Sequence, residues 1–249
     1  MPFSEEKYRE SLQRSGATDA VAKQVVAQMR PHIHDGMSTK ELYQKTRQLL
    51  EKLDQPLVRG RYHLKQAIMQ LGPDGFSFER YVNELLKQQG YKTRVNQELA
   101  GKCVSHEIDI VATRGSDCLI FECKLHSNSG LYCSIQTALY VKARYDDLKA
   151  RCDADPKCSP KYNQCWLVTN TRLSSVAIQY GECMHMNLLG WSYPRGAGLE
   201  RIIDQSGLHP ITCLSSLSGK AMQTILHAGI VLCRDLMHQQ NKLVEMGLK

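Results

Sequence analysis

The sequence predicts an α/β protein, with a strand-rich middle section set between a helical beginning and a helical end. Three observations carry this. Residues 4–71 repeat apolar side chains at helical spacing. Residues 91–125 alternate with the period of two that strands require. From Ser134 to Trp191, helical and strand patterns then alternate, which argues for a sheet covered by helices. The 249 residues are 42% hydrophobic, enough for a packed core, and could form one large or two to three small domains. The net charge of +7 is spread along the chain. It suits a partner that bears phosphates. No run of about 18 apolar residues occurs, and the polar start Pro2-Phe3-Ser4-Glu5-Glu6 lacks a signal-peptide pattern. The expectation is a soluble, cytoplasmic chain with no membrane partner.

In chain order, Ser4 to Ser15 reads as a helix stopped by Gly16. Asp19 to Met29 places Val21, Val25, Val26 and Met29 on one side. Ser38-Thr39-Lys40-Glu41 is a capping box that opens a helix to Leu53. Leu57 to Leu71 reads as a fourth helix, and Gly72-Pro73-Asp74-Gly75 breaks the chain. A helix follows the break. Strands are expected at 91–97, 103–112, 117–125, 164–169 and 187–191, and helices at 134–149 and 174–184. Residues 193–249 form a helical tail. The expected domains are 1–74, 75–192 and 193–249.

None of the ten cysteines lies in a Cys-x-x-Cys pair, so the usual zinc spacing is absent and reduced thiols are expected. Cys152, Cys158 and Cys165 cluster in a loop-like stretch and, with His185, could in principle bind zinc.

The chemistry gathers on two strands. His106-Glu107-Ile108-Asp109-Ile110 and Phe121-Glu122-Cys123-Lys124 flank the turn Arg114-Gly115-Ser116-Asp117. Alternation puts Glu107 with Asp109 on one face and Glu122 with Lys124 on one face, and a hairpin sets Asp109 beside Glu122 and Lys124. Two carboxylates and an ammonium on an apolar sheet are costly to bury without a purpose. A hard divalent cation supplies one, with Asp109 and Glu122 as oxygen ligands and water or phosphate completing the shell. Such a metal would activate water and stabilise charge on phosphate. Lys124 would have a depressed pKa or would hold the attacking water. The plainer alternative is a solvated hairpin face with a cross-strand Lys–Glu pair.

These residues, Asp109, twelve intervening positions, then Glu122-Cys123-Lys124, resemble the PD-(D/E)xK nucleases, and among them the Mrr-like type IV restriction endonucleases. Gly75-Phe76-Ser77-Phe78-Glu79 with Tyr81-Val82, Leu85-Leu86 and Gln89-Gly90-Tyr91 resembles the family's first helix. Downstream, Gln136 and Trp166-Leu167-Val168-Thr169-Asn170-Thr171 resemble the next helix and core strand. The resemblance spans 75–192. It implies a restriction-endonuclease-like αβββαβ core and Mg²⁺-dependent cleavage of DNA, with Mn²⁺ as a possible substitute. It also implies Asp109, Glu122 and Glu79 as metal ligands, and Lys124 and Gln136 as further catalytic groups. His106, just before the Asp109 strand, departs from the pattern. It is read either as an extra catalytic or phosphate-contacting group or as a hydrogen-bonded strand histidine.

The first 74 residues resemble an ATP-cone, a nucleotide-sensing module, through Phe3 to Lys7, Ser15-Gly16-Ala17, Gly36 to Leu42 and Arg61-Tyr62. That resemblance implies Lys7 and Thr39 as contacts to ATP or dATP. The family's opening basic hairpin does not appear, so weak or no nucleotide binding by a structural remnant is expected. In the tail, Thr212 to Ala221, Ile225 to Ile230 and Arg234-Asp235-Leu236 look like a degenerate helix-hairpin-helix element, with Gly219 and Lys220 meeting a DNA phosphate. A plain helical cap is the alternative. The leading function is thus a Mg²⁺-dependent DNA endonuclease of restriction or defence type, working as a homodimer. The alternatives are a DNA- or nucleotide-binding regulator with a structural nuclease core, and a repair or junction nuclease.

Overall fold

Apolar residues at helical spacing fold the start of the chain into α1 (Glu5–Arg14), α2 (Asp19–Met29), α3 (Thr39–Lys52) and α4 (Pro56–Tyr62), followed by α5 (Leu64–Met69). This is seen in a computed structural model that describes residues 3–128, 130–214, 217–245 and 247. The chain divides into two compact units, Met1–Gln66 and Ala67–Lys249.

In the first unit the starts of α1, α2 and α3 are capped by side chains. Ser4 Oγ accepts from the Lys7 amide at 3.3 Å and Thr18 Oγ1 from the Val21 amide at 3.2 Å. The capping box forms as expected: Glu41 N–H donates to Ser38 Oγ, and Ser38 N–H donates to Glu41 Oε2. Leu12, Ala22, Val25, Met29 and Leu50 are fully buried between the helices. The helix expected over 57–71 is broken at His63, which takes turn geometry at φ −94°, ψ 3°. Its ring packs on Tyr43 and Tyr62, with centroids 6.2 and 5.8 Å apart. Tyr and His are weak helix formers, so this aromatic packing decides the local geometry.

The second unit is built around a sheet. After α6 (Phe76–Gln88) come β1 (Lys92–Ala100), β2 (Ser105–Arg114), β3 (Asp117–Lys124) and β4 (Tyr132–Cys133). Next are α7 (Ile135–Ala154), β5 (Gln164–Thr169), β6 (Arg172–Leu173), α8 (Ser175–Cys183) and β7 (Asn187–Leu189). The main sheet has the order β1-β2-β3-β5-β7. Its first three strands are antiparallel, and β3, β5 and β7 run parallel. The succession α6-β1-β2-β3-α7-β5 is the expected αβββαβ core. Strand alternation sorts the packing. Val111, Ile120 and Leu167 lie in one core cluster with Ala138, Val141 and Leu148 of α7 and Ala177 of α8. Leu119, Phe121, Trp166 and Val168 face Val82, Leu85 and Leu86 of α6. Phe121 and Trp166 stack with centroids 5.5 Å apart. The two-residue strands β4 and β6 pair parallel in a separate small sheet, and strands so short have no readable sequence period.

The tail adds α9 (Leu199–Ser206), α10 (Gly219–His227), α11 (Cys233–His238) and α12 (Gln240–Glu245) to this unit. Two buried hydrogen bonds anchor it: Tyr81 Oη donates to Leu208 O and Thr212 Oγ1 to Ala67 O, both at 2.6 Å. Gly198, the N-cap of α9, leaves no room for a side chain. A Cβ there would lie 2.5 Å from Trp191 O and 2.7 Å from Tyr193 N, both backbone atoms. Gly198→Ala is expected to lower the stability of the protein by about 1–3 kcal/mol in denaturant unfolding. Gly60→Ala, with open space around it on α4, should not.

The expectation of reduced cysteines needs correcting. Helix α7 runs five residues past its expected end at Lys149, to Ala154, and brings Cys152 into a disulfide with Cys158, Cα–Cα 5.3 Å. Cys165 is buried in the core under the sheet. No zinc site forms from these residues and His185, because among the described residues no three His, Cys, Asp or Glu side chains converge on one point. No helix among them is long and apolar enough to cross a membrane.

Candidate active site

The β2–β3 ladder ends at the pair Ile110 and Phe121, and the next residues along it are Asp109 and Glu122. Here side chains replace backbone pairing. Asp109 Oδ2 accepts the Cys123 amide at 2.6 Å, so the carboxylate is tied across to the neighbouring strand. Glu122 Oε2 accepts from a terminal nitrogen of Arg144 on α7 at 2.7 Å. Glu79 reaches the same place from the first turn of α6. That turn starts from Gly75 at φ +88°, and a Cβ at Gly75 would already touch Glu79 Oε1 at 3.5 Å. Together with Phe76, His106, Glu107, Tyr140 and Arg144, these three acids line an open cleft of about 410 Å³.

The cleft crowds negative charge into a partly desolvated space. Burial pushes the Glu122 carboxyl up to about 7, and the Asp109 charge adds to this against the opposing pull of Arg144. Burial, then the charges of Asp109 and Glu122, likewise raise Glu79 to about 7. Asp109 is also raised by burial, although the Cys123 amide draws it back. Carboxylates held at such values gain from a cation placed among them. The donor set fits a hard divalent ion: two carboxylates on adjacent strands, a third across the cleft, and space for water. Among the described residues no three ligating side chains converge on one point, so Asp109 and Glu122 would be the nearest ligands and water would complete the shell.

The other expected residues fall in different places. Lys124 is exposed at the end of β3, pairs in register with Thr169 of β5, and stands outside the cleft lining. Its charge still acts on Asp109 and Glu122. Gln136 lies exposed in the first turn of α7 and also outside the lining. His106 lies at the cleft edge and bonds through Nε2 to Asp147 Oδ2 at 2.8 Å. Asp147 also receives the amides of Cys103 and Val104 at 2.8 and 3.3 Å. Desolvation works against its charge, but these bonds hold its carboxyl down at about 2. In the first unit, Lys7 is exposed on α1, and the Thr39 side chain lies outside the described residues. Gly219 and Lys220 open α10 behind the cap Ser218, whose Oγ accepts the Ala221 amide at 3.2 Å, and the space around Gly219 is open. Ser215 and Ser216, part of the same tail pattern, lie outside the described residues.

Sequence reading missed Tyr140, Arg144 and Asp147. One signal was present. Gln136, Tyr140 and Arg144 are spaced by four, so they share a helical face that runs along the cleft side of α7. Asp147 left no such trace, because its partners lie on the β1–β2 connection and at the start of β2.

Comparison with known proteins identifies related families. A family described as restriction endonuclease matches residues 72–151, and a second, described as AF1548-like, C-terminal, matches 209–249. The first span holds Glu79, Asp109, Glu122, Lys124 and Gln136. The chain therefore carries a restriction endonuclease domain of the PD-(D/E)xK kind on its α/β core. An uncharacterized protein of Archaeoglobus fulgidus is 36% identical over 165 residues, which covers 66% of this chain and 88% of that protein. The crystal structure of the protein of unknown function AF1548 is 34% identical, with a TM-score of 0.59 over 69% of this chain and 88% of that one. The chain belongs to the AF1548-like family.

Proposed function

We propose that this protein is a divalent-cation-dependent DNA endonuclease that hydrolyses phosphodiester bonds in the cleft of Asp109, Glu122 and Glu79. The observation that carries the reading is the Asp109–Glu122 pair at the end of the β2–β3 ladder, with Lys124 following on the same strand. Nuclease domains of this type generally use divalent metals. A bound Mg²⁺ or Mn²⁺ would supply Lewis-acid stabilisation and a more acidic water. The protein's own part is positional. The Cys123 amide orients Asp109, α6 delivers Glu79, and Lys124, whose charge acts on both strand acids, would hold the attacking water or a phosphate oxygen. His106, held by Asp147, would contact the phosphate from the cleft edge. Gln136, one turn before Tyr140 on α7, would extend the DNA contact, and Gly219 and Lys220 would add a phosphate contact from the tail.

The finer parts of the reading are a restriction or defence role, a cytoplasmic location and a homodimer that supplies two sites for double-strand cutting. The N-terminal helices are read as a packing element that binds ATP or dATP weakly or not at all through Lys7 and Thr39. The direct test incubates purified protein with plasmid, linear and single-stranded DNA in Mg²⁺, Mn²⁺ or EDTA. Nicking or linearisation in either metal, and none in EDTA, is expected. Intact DNA under every metal condition would overturn the nuclease reading.

A further inference from the structure

The cleft holds one cation that the proposed chemistry leaves without a task. Arg144 is 8% exposed, and its terminal nitrogen meets Glu122 at 2.7 Å. Its Nε is buried with no hydrogen-bond partner among the described residues. The guanidinium carbon sits 5.0 Å from the centre of the Tyr140 ring, on the wall of the same cleft. A buried N–H left unpaired is costly, and a guanidinium fork is built to meet two oxygens at once. Glu122 is at the same time one of the two carboxylates best placed for a metal. A guanidinium on one oxygen of Glu122 and a divalent ion on the other repel one another, so the two cations compete for this carboxylate.

We propose that Arg144 is an exchangeable counter-ion of the site: it neutralises Glu122 in the metal-free cleft, gives that carboxylate up when a divalent cation binds, and then presents its fork to an oxygen of the DNA phosphodiester. This rests on the nuclease reading. The Tyr140 ring keeps the guanidinium at the cleft wall during the exchange, since cations are attracted to aromatic faces. The exchange lets Nε find an oxygen partner. Because a bound metal releases Arg144 from Glu122 and a bound phosphate holds it away, metal and substrate phosphate support one another's binding.

The test separates metal binding from DNA binding. Wild-type protein, Arg144→Gln and Arg144→Lys are titrated calorimetrically with Mn²⁺ at pH 8 without DNA. Their affinity for a labelled duplex is then measured by fluorescence anisotropy in Ca²⁺. Removing the competing charge should tighten Mn²⁺ binding by roughly tenfold or more in Arg144→Gln. Losing the fork should weaken DNA binding in Ca²⁺ by roughly tenfold in both variants. Arg144→Lys keeps the charge and should bind Mn²⁺ as the wild type does. A buried arginine that served only packing would leave Mn²⁺ affinity unchanged or weaker in Arg144→Gln, and that result overturns the proposal. Unchanged DNA affinity in Arg144→Lys overturns it as well, even if Arg144→Gln does not fold. A wild-type protein that binds Mn²⁺ and cuts DNA while the variants fail these expectations leaves the nuclease reading standing. A wild type that neither binds metal nor cuts removes both.

Discussion

Asp109→Ala, Glu122→Ala and Lys124→Ala are each expected to reduce DNA cleavage by roughly a thousandfold or more while the protein stays folded. The acids lie at the end of a ladder whose register is held by the apolar pairs Ile110 with Phe121 and Val111 with Ile120, so the sheet survives the loss of the one cross-strand bond that Asp109 makes. On the proposed function they would contribute charge and position at the reacting phosphate, an effect of several kcal/mol in a transition state. Glu79→Ala should have a smaller effect, because Glu79 reaches the site from a helix across the cleft. The measurement is single-turnover cleavage of a plasmid in Mg²⁺, with circular dichroism to confirm folding. Cleavage that persists in the Asp109 or Glu122 variant would show that the site is elsewhere.

The second large effect is on stability and reverses with metal. Glu122 titrates near 7 in the folded protein, well above the ordinary glutamate value of 4.5. The folded state therefore binds this proton more tightly than the unfolded state does. The stability it contributes is fully present below about pH 4.5 and is lost as pH rises through about 7. Glu79 acts in the same direction. At pH 8 without metal the cleft is thus a destabilising cluster of like charges. Asp109→Asn removes the neighbour that helps to raise Glu122 and leaves the Arg144 contact in place. It should therefore unfold at higher denaturant than wild type at pH 8, by on the order of 1–2 kcal/mol, and the gap should close toward pH 5. Mn²⁺ should stabilise the wild type at pH 8 and have little effect on the variant, since it binds only the folded state. Wild-type stability that is flat from pH 5 to 8, or a variant less stable at pH 8, would contradict the crowded-carboxylate picture.

The site residues divide by how far along the chain their partners lie. Asp109 and Glu122 were legible because a period-two pattern on both sides of a four-residue turn forces them onto one face and into one register. Glu79 was legible only through family resemblance, since a glutamate in a helix's first turn is ordinary. The partners of Arg144 and Asp147 were not legible, although the spacing of Arg144 with Tyr140 marked one helical face. Each reaches its partner across 22 and 41 residues, and each depends on the angle at which α7 crosses the sheet. The disulfide was missed for a related reason: it needs α7 to continue to Ala154 before the chain turns back to Cys158. The break at His63 shows the opposite failure, a correct helical pattern overridden by packing on Tyr43.

While the αβββαβ order came through family resemblance, the sequence by itself determined the α/β class, the long helices and strands, the caps that start several helices and the pair of acids on neighbouring strands. These follow from local periodicity, turn chemistry and short-range register, which act within about a dozen residues. Only the tertiary structure decided what surrounds those acids: the guanidinium on Glu122, the Asp147 carboxylate that orients His106, and the degree of burial that raises the carboxyls. The physical reason is that charge–charge energies and desolvation depend on distances between elements, and no pattern along one strand or helix encodes those distances.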